Sequence, residues 1–377
     1  MPSCFADARP RPSCDDVRTV GLFRALQLGD LLCAVPAARA LKRRWPHWRI
    51  SLIGLPWAAE FARRFSAYFD GFIEFPGFPG LPEREPDLRA IPEFFQRMDH
   101  ERFDLIIQMH GSGHLVNSLC ALMRPKSLAG YYLPGDFCSG ASDFIPYPSD
   151  RHEIQRHLLL VQSLGAEDDD ESLEFPLEPR DSADLATSLR GRRLTRGRYV
   201  CIHPGARYES RRWLPERFAA VARELAEAGY EIVLTGSRDE IGLAKNVADQ
   251  AHCRTLNLAG RTTLGAFAAL IADSGLVITN DTGTSHVASA LKTPSIVIVL
   301  GSDAARWGPR DSARHRIASA AVPCRPCEHR TCPIGFECAN GLSWRTVADG
   351  AKQLLDSSRA SLSPRQRIAE LVNGALA

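Results

Sequence analysis

No run of about eighteen apolar residues occurs in this chain, so it offers no segment able to cross a bilayer as a helix. Its first residues, MPSCFADARPRPSC, lack the apolar core of a secretory signal. Residues 1–17 are therefore read as a short disordered tail, and the cytoplasm as the compartment. Charge of one sign is missing too: a formal net charge of +2 gives no global reason to expect nucleic acid as a partner. No G-x-G-x-x-G follows the first apolar strand, where GLFRALQLGD stands instead, which argues against a nicotinamide-binding dehydrogenase. No D-x-D motif is suitably placed to hold a divalent ion, and no repeat of roughly 20–50 residues is apparent. Cysteine is uneven: of eleven, four crowd into residues 324–338. Without an export signal, that pattern favours thiols or a metal site over a disulfide framework.

What is present is ordinary globular composition, 45% apolar and 24% charged, over 377 residues, long enough for two domains. Strand-like and helix-like segments alternate. RTVGLFRAL (18–26), RISLIG (49–54), FDLIIQMH (103–110) and SLAGYY (127–132) read as strands. Segments 29–45 and 114–123 read as helices, the first with a kink or offset start at Pro36. The second half repeats the scheme with RYVCIHPG, YEIVLTG, GLVITN and SIVIVLG as strands. Its helices run from Pro215 to a stop at Gly229, and from a Thr262 or Thr263 cap through 263–275. Repeated βαβ units place ligands beyond the strands' carboxyl ends. The fold class is therefore α/β, two doubly wound Rossmann-like parallel-sheet domains facing across a cleft. The acidic stretch 166–182 marks the boundary, giving domains at 18–178 and 179–355 and a helical tail at 356–377.

NDTGTSHVASALKTP (280–294) follows one of these apolar strands. A short helix starting near Gly283 points free N–H groups and a positive dipole end at whatever lies beyond the strand. Thr282 and Thr284 add hydroxyl donors, and Gly283 admits a ligand close to the backbone. His286 projects near the same turn, and Asp281 can accept from a sugar hydroxyl. The alternative is an Asp281 cap and a packed His286. HPGARYESRRWLPERF (203–218) sets Gly205, Arg207, Arg211 and Arg212 on a loop leaving the same sheet edge. Arginines and a helix N-terminus converging there suit a nucleotide diphosphate.

Together NDTG-x-x-H-x-A-x-A-L-x-x-P, HPGA…RRW-x-P-E-R-F and the earlier GD-x-x-x-x-x-P-A resemble glycosyltransferase family 9, the ADP-heptose heptosyltransferases of lipopolysaccharide core assembly and their relatives. The resemblance spans about residues 18–355. It implies the GT-B fold, with an acceptor-binding first domain, a nucleotide-sugar-binding second domain and a C-terminal helix returning to the first. It also implies inverting transfer that needs no divalent ion or other cofactor. Asp281, Thr282, Gly283 and His286 are implied as diphosphate and sugar contacts. Arg211 stands where similar enzymes often have Lys. Asp30, in LGDLLCAVP, is implied as the base that deprotonates the acceptor; from local sequence alone a helix N-cap explains it as well.

Smaller signals complete the expectations. Glu240 is a candidate for ribose hydroxyls, and LAGRTTL (258–264) for a purine edge. His110, Ser112 and Asn117, in and after the Gly-rich QMHGSGH, are acceptor candidates, as are Arg63 and Arg64; an ordinary turn and a solvated helix face are the alternatives. ALKRRWPHWR (40–49) either complements a helix C-terminus or touches the inner membrane at its cytoplasmic face, where a lipid-linked glycan acceptor resides. Cys324, Cys327, Cys332 and Cys338 form C-x2-C-x4-C-x5-C, which suits a structural Zn or Fe ion and equally a loop of reduced thiols. Competing functions are transfer from another nucleotide sugar or to a protein, a two-domain sugar-nucleotide epimerase, and a non-catalytic sensor of nucleotide sugars.

Overall fold

A computed structural model describes residues 14–136, 143–327 and 329–360. The chain divides into two compact units between Ser172 and Leu173, slightly ahead of the boundary expected after residue 178. The acidic stretch before that boundary is clasped to its own unit. Arg39 donates to the Asp170 and Ser172 carbonyls at 2.8 and 3.1 Å, and Arg43 pairs with Asp168 at 2.8 Å.

The first unit carries β1 (Thr19–Phe23), α1 (Leu28–Arg44), β2 (Arg49–Gly54), α2 (Ala58–Arg64), β3 (Gly71–Glu74), α3 (Ile91–Glu101), β4 (Leu105–Gln108), α4 (Val116–Leu122), β5 (Ser127–Tyr132), β6 (Phe144–Pro146) and α5 (Glu153–Ser163). Its six strands are all parallel, in the order β3-β2-β1-β4-β5-β6. Ordering begins earlier than the expected tail allows: Cys14–Asp16 form a 3-10 turn, Val17 is buried, and Trp48 Nε1 donates to the Cys14 carbonyl at 3.2 Å. Helix α1 runs through the buried Pro36 as one element. At its end Trp45 and Trp48 are buried and stacked at 4.2 Å, while Lys42 donates to Asp70 at 2.7 Å. The tryptophans of this basic cluster therefore belong to the core, and two of its cations are paired.

The second unit carries α6 (Pro179–Leu189), β7 (Tyr199–His203), α7 (Pro215–Glu227), β8 (Glu231–Leu234), α8 (Ile241–Ala251), β9 (Thr255–Asn257), α9 (Leu264–Asp273), β10 (Leu276–Asn280), α10 (Gly283–Ala290), β11 (Ser295–Ile298), α11 (Ala304–Trp307), β12 (His315–Ala318), α12 (Glu337–Gly341) and α13 (Trp344–Ala360). Its six parallel strands are ordered β12-β11-β10-β7-β8-β9. Strands β7, β10 and β11 are apolar on both faces because helices cover both, as the continuous sequence runs require. Pro215 opens α7, Gly229 follows its end with φ 87°, and Thr263 Oγ1 caps α9 by accepting from Ala266 N at 3.1 Å. Helix α13 places Val347, Ala351 and Leu354 in this unit's core. It continues past residue 355, where the tail was expected to begin. The expected return of a C-terminal helix to the first unit falls beyond Ala360, outside the described residues. Among those residues, no helix is long and apolar enough to cross a membrane.

Both sheets have the same plan: the first strand of each unit is central, and the order reverses beside it. In parallel sheets this switch point opens a crevice at the carboxyl ends of the two central strands. In the first unit it lies after β1 and β4, and in the second after β7 and β10.

Candidate active site

The second unit's switch point brings together the two loops singled out in the sequence. Asn280, fully buried at the end of β10, binds them to each other. Its Nδ2 donates to the Pro204 and Gly205 carbonyls at 2.8 and 3.2 Å, and its Oδ1 accepts from Trp213 N at 3.0 Å. Thr282, not Asp281, is the N-cap of α10: its Oγ1 accepts from Thr284 N at 3.4 Å. The remaining first-turn N–H groups of α10 start at Gly283, beside the arginine loop. Asp281, Thr284 and His286 are each at least nine-tenths buried, and the His286 ring lies 6.3 Å edge-on to Trp307.

Arg207 and Arg211 gather on one aromatic ring, that of Tyr208, with guanidinium carbons 5.8 and 5.4 Å from its centroid. A third guanidinium, Arg330, lies 5.7 Å from the same centroid. It comes from the Cys-rich loop, which is stitched to the site: Ser210 N donates to the Arg330 carbonyl at 3.1 Å, and Cys327 N to the Gly301 carbonyl at 2.7 Å. Arg211 Nε is buried without a hydrogen-bond partner among the described residues. Three cations on one ring repel one another, so the arrangement favours an anion between them. Arg212 does otherwise: its Nε donates to the Ala206 carbonyl at 2.8 Å and shapes the loop.

Glu240 lies directly under Gly205. A Cβ on Gly205 would come within 2.0 Å of Glu240 Oε1, a distance real Cβ atoms do not show. The carboxylate accepts from Ser237 N at 2.7 Å and faces His203 Nε2 at 3.6 Å. Burial lowers the His203 pKa against the opposing pull of Glu240. Glycine at 205 thus makes room for one particular carboxylate.

In the first unit, Asp30 sits at the third position of α1, not at its cap. The cap is Gln27, whose N donates to Asp30 Oδ2 at 3.3 Å. Arg24, fully buried after β1, stands behind Asp30: its Nε donates to the Asp30 carbonyl at 2.7 Å and its Nη2 lies 3.6 Å from Oδ1. Its Nη1 donates to the Met109 carbonyl after β4, which joins the two loops of this switch point. The His110 ring lies 5.5 Å from Phe23, and its Nε2 is 3.5 Å from Glu83.

The other acceptor candidates separate. Asn117 is fully buried and donates Nδ2 to the Tyr131 carbonyl at 2.8 Å, closing the Gly-rich turn from inside. Gly113, at φ 95°, would place a Cβ 2.3 Å from that same carbonyl. Ser112 remains half-buried on the loop. On α2, Arg64 is buried and reaches back to Glu60 at 3.4 Å, whereas Arg63 is exposed.

Cys324 is exposed, Cys327 and Cys332 are half-buried, and Cys338 is buried. Burial pushes the Cys338 thiol up, and the three neighbouring thiols push it the same way. Cys332 Sγ accepts from Phe336 N at 3.2 Å. Among the described residues, no three Cys, His, Asp or Glu side chains are gathered as a set able to hold a metal ion.

Asn280, Tyr208, Arg330 and Arg24 escaped the sequence reading. Asn280 opens the quoted N-D-T-G stretch, and Arg24 is a charge at the end of an apolar strand; both were visible signals. Nothing local marked Arg330, because its neighbours on Tyr208 are more than a hundred residues away in sequence.

The sequence profile of glycosyltransferase family 9 (heptosyltransferase) matches residues 91–336. The chain is similar to lipopolysaccharide heptosyltransferase 3 of Escherichia coli K12, at 24% identity over 74% of this chain and 82% of that protein. In fold it is similar to a family 9 glycosyltransferase of Veillonella parvula, with TM-score 0.73, 18% identity and coverage of 90% and 98% of the two chains. It is likewise similar to ADP-heptose lps heptosyltransferase II of E. coli, with TM-score 0.67, 18% identity and coverage of 90% and 99%. With a profile match over more than half its length and both switch points furnished as described, the chain belongs to glycosyltransferase family 9, the heptosyltransferase family.

Proposed function

We propose that this heptosyltransferase moves a heptose from ADP-heptose to a lipopolysaccharide-core acceptor, with inversion at the anomeric carbon and without a catalytic metal ion. The observation that carries the donor half is the convergence on one edge of Arg207, Arg211 and Arg330 around Tyr208 beside the N-terminus of α10. Cations and aligned N–H groups suit two phosphates whose negative charge grows as the glycosidic bond breaks. In this reading Thr282, Gly283, Thr284 and the arginines hold the diphosphate. His286 and Asp281 face phosphate and sugar, and Glu240 accepts from the ribose hydroxyls. ADP as the nucleotide is supported by the similarity to an enzyme described as acting with ADP-heptose.

Asp30 is assigned as the base. The acceptor oxygen forms a bond to the anomeric carbon while the bond from that carbon to the diphosphate oxygen breaks. The acceptor's proton passes to a carboxylate oxygen of Asp30, and ADP leaves with the electron pair. A carboxylate is a weak base towards a resting alcohol and becomes competent as the attacking oxygen acquires positive charge. A single displacement inverts the configuration. His110, Ser112 and Arg63 are proposed to meet the acceptor. The lipid-linked acceptor places the reaction at the cytoplasmic face of the inner membrane. The four loop thiols stay candidates for a structural Zn or iron ion; one bound equivalent in purified protein supports that role, and less than one tenth rejects it.

The test is a transfer assay across ADP-, GDP-, UDP- and CMP-sugars with a lipopolysaccharide-core acceptor, repeated with Asp30→Asn. ADP-heptose is expected to be selected, and Asp30→Asn to lose transfer while still binding ADP. Selection of another nucleotide overturns the donor assignment, and transfer by Asp30→Asn overturns the base.

A further inference from the structure

A buried ionic network stands behind Asp30, and no step of the transfer reaction uses it. Arg24 is at its centre, with no exposed side-chain surface. Besides its contacts to Asp30 and Met109, its Nη2 donates to Glu153 Oε1 at 3.0 Å. Glu153, the first residue of α5, is itself buried and accepts from Arg156 Nη1 at 3.0 Å. Arg156 also donates to Tyr147 Oη at 2.7 Å and to the Pro148 carbonyl at 2.7 Å. His157 faces Glu153 at 3.4 Å and Tyr131 Oη at 3.1 Å. The ionisable groups around Arg24 are thus Asp30 from α1, Glu153, Arg156 and His157 from α5, Tyr131 from β5 and Tyr147 after β6. His110 and its partner Glu83 lie beyond Phe23.

Burying a guanidinium with two carboxylates and a second guanidinium is costly, and apolar residues of equal volume often fill such a space at least as stably. The network therefore calls for a reason other than stability. Burial, with the Arg24 charge next, pushes His157 down to about 4 against the pull of Glu153, so this ring is neutral at pH 7. Burial also raises the Tyr131 hydroxyl. The charges that remain are Arg24 and Arg156 against Glu153 and Asp30. Asp30 supplies the second negative charge, and it is the member at the edge, 23% exposed.

We propose that Arg24 and Glu153 are positioning residues for Asp30: the Arg24 fork fixes the main chain and carboxylate of Asp30, and Glu153 shares that guanidinium and sets how strongly it holds Asp30 ionised. The inference rests on Asp30 being the base. Arg24 reaches Asp30, the loop after β4 and α5 with three separate nitrogens, a task for a planar fork and not for a lysine ammonium. Glu153 is the counterweight, since each unit of negative charge taken up there weakens the pull of Arg24 on Asp30.

The experiment measures kcat/KM for transfer from pH 4 to 8 in the full-length protein, with the donor selected by the nucleotide-sugar panel. Arg24→Gln removes the positive charge beside Asp30, so the acid limb is expected to move up by about one pH unit, the low end for a charge at this distance because Asp30 is partly exposed. Glu153→Gln is expected not to raise the limb. The double variant Arg24→Gln/Glu153→Gln leaves Arg156 against Asp30, restores the charge balance, and is expected to return the limb towards the parent value. A purely structural role predicts additive loss in the double variant and no movement of the limb. Should Arg24→Gln not fold, Arg24→Lys decides: charge is kept and the fork lost, so kcat should fall at least tenfold with the limb unmoved. Full kcat in Arg24→Lys, or an unmoved limb in Arg24→Gln, overturns the inference. Transfer by Asp30→Asn overturns the base assignment instead, so the two failures are distinguishable.

Discussion

Gly205→Ala isolates the contact between the β7 loop and Glu240. Gly205 does not occupy the left-handed region, so alanine can adopt its backbone without strain. The added Cβ, however, would lie 2.0, 2.1 and 2.5 Å from the three carboxyl atoms of Glu240. Relief requires the carboxyl group to retreat by about 1 Å, which breaks its alignment with Ser237 N and His203. A hydrogen bond to a charged acceptor contributes about 1.5–3 kcal/mol. If Glu240 holds the ribose, ADP affinity should therefore fall about 10- to 150-fold. Stability should fall by about 1–2 kcal/mol at most, because the lost Ser237 N bond is partly offset by the lower entropy that Gly→Ala gives the unfolded chain. Calorimetric titration with ADP and a thermal melt measure both quantities. Glu240→Ala serves as the control: with the carboxylate gone the obstruction is gone, so Gly205→Ala/Glu240→Ala should bind no worse than Glu240→Ala alone. Unchanged ADP affinity in Gly205→Ala, or losses that multiply in the double variant, would refute this reasoning.

Three further outcomes are expected. Asn280→Ala should lower stability by about 2–4 kcal/mol, since it leaves buried Pro204 O and Trp213 N without their partner; a urea midpoint equal to the parent's contradicts this. Arg330→Ala should raise the donor KM about tenfold with an unchanged melt, the loss of one charge-assisted contact, and an unchanged KM removes Arg330 from the anion site. Acid should weaken the fold between pH 6.5 and 4: burial lowers His157 and His315 to about 4, so the folded state binds fewer protons there than the unfolded chain. Stability is complete above about pH 6.5 and falls by up to about 1.4 kcal/mol per pH unit for each histidine as pH drops through that window. Denaturant midpoints that stay flat from pH 7.5 to 4.5 would exclude this.

Much of the architecture was legible because its causes are local. The runs GLVITN and SIVIVLG have to be strands covered on both faces, and Pro215, Gly229 and Thr263 punctuate their helices wherever the helices pack. The two loops at the second unit's switch point were legible for the same reason: a strand followed by glycine and hydroxyl residues, or by arginines, carries its chemistry in a few adjacent positions. Asp30 was found as a candidate base, and its alternative as the helix cap falls to Gln27, because Gln27 and Asp30 can each fill one half of a capping pair and only the helix start decides which. The four cysteines were found as a motif, yet their spacing says nothing of where the loop folds back.

Strand order, by contrast, is written nowhere in the chain. It depends on which apolar faces win contact across long intervals, and it alone puts β7 beside β10 and β1 beside β4. From that follow the pairings no window of sequence contains: Asn280 holding the loop of Gly205, Glu240 under that glycine, Arg330 on Tyr208, and Glu153 sharing Arg24 with Asp30 across more than a hundred residues. Sequence by itself determined which residues carry charge and which long apolar runs are strands; the short β3, β6, β9 and β12 were not read. Tertiary structure decided which charges meet, because the Coulomb energy between them falls with distance through space and takes no account of separation along the chain.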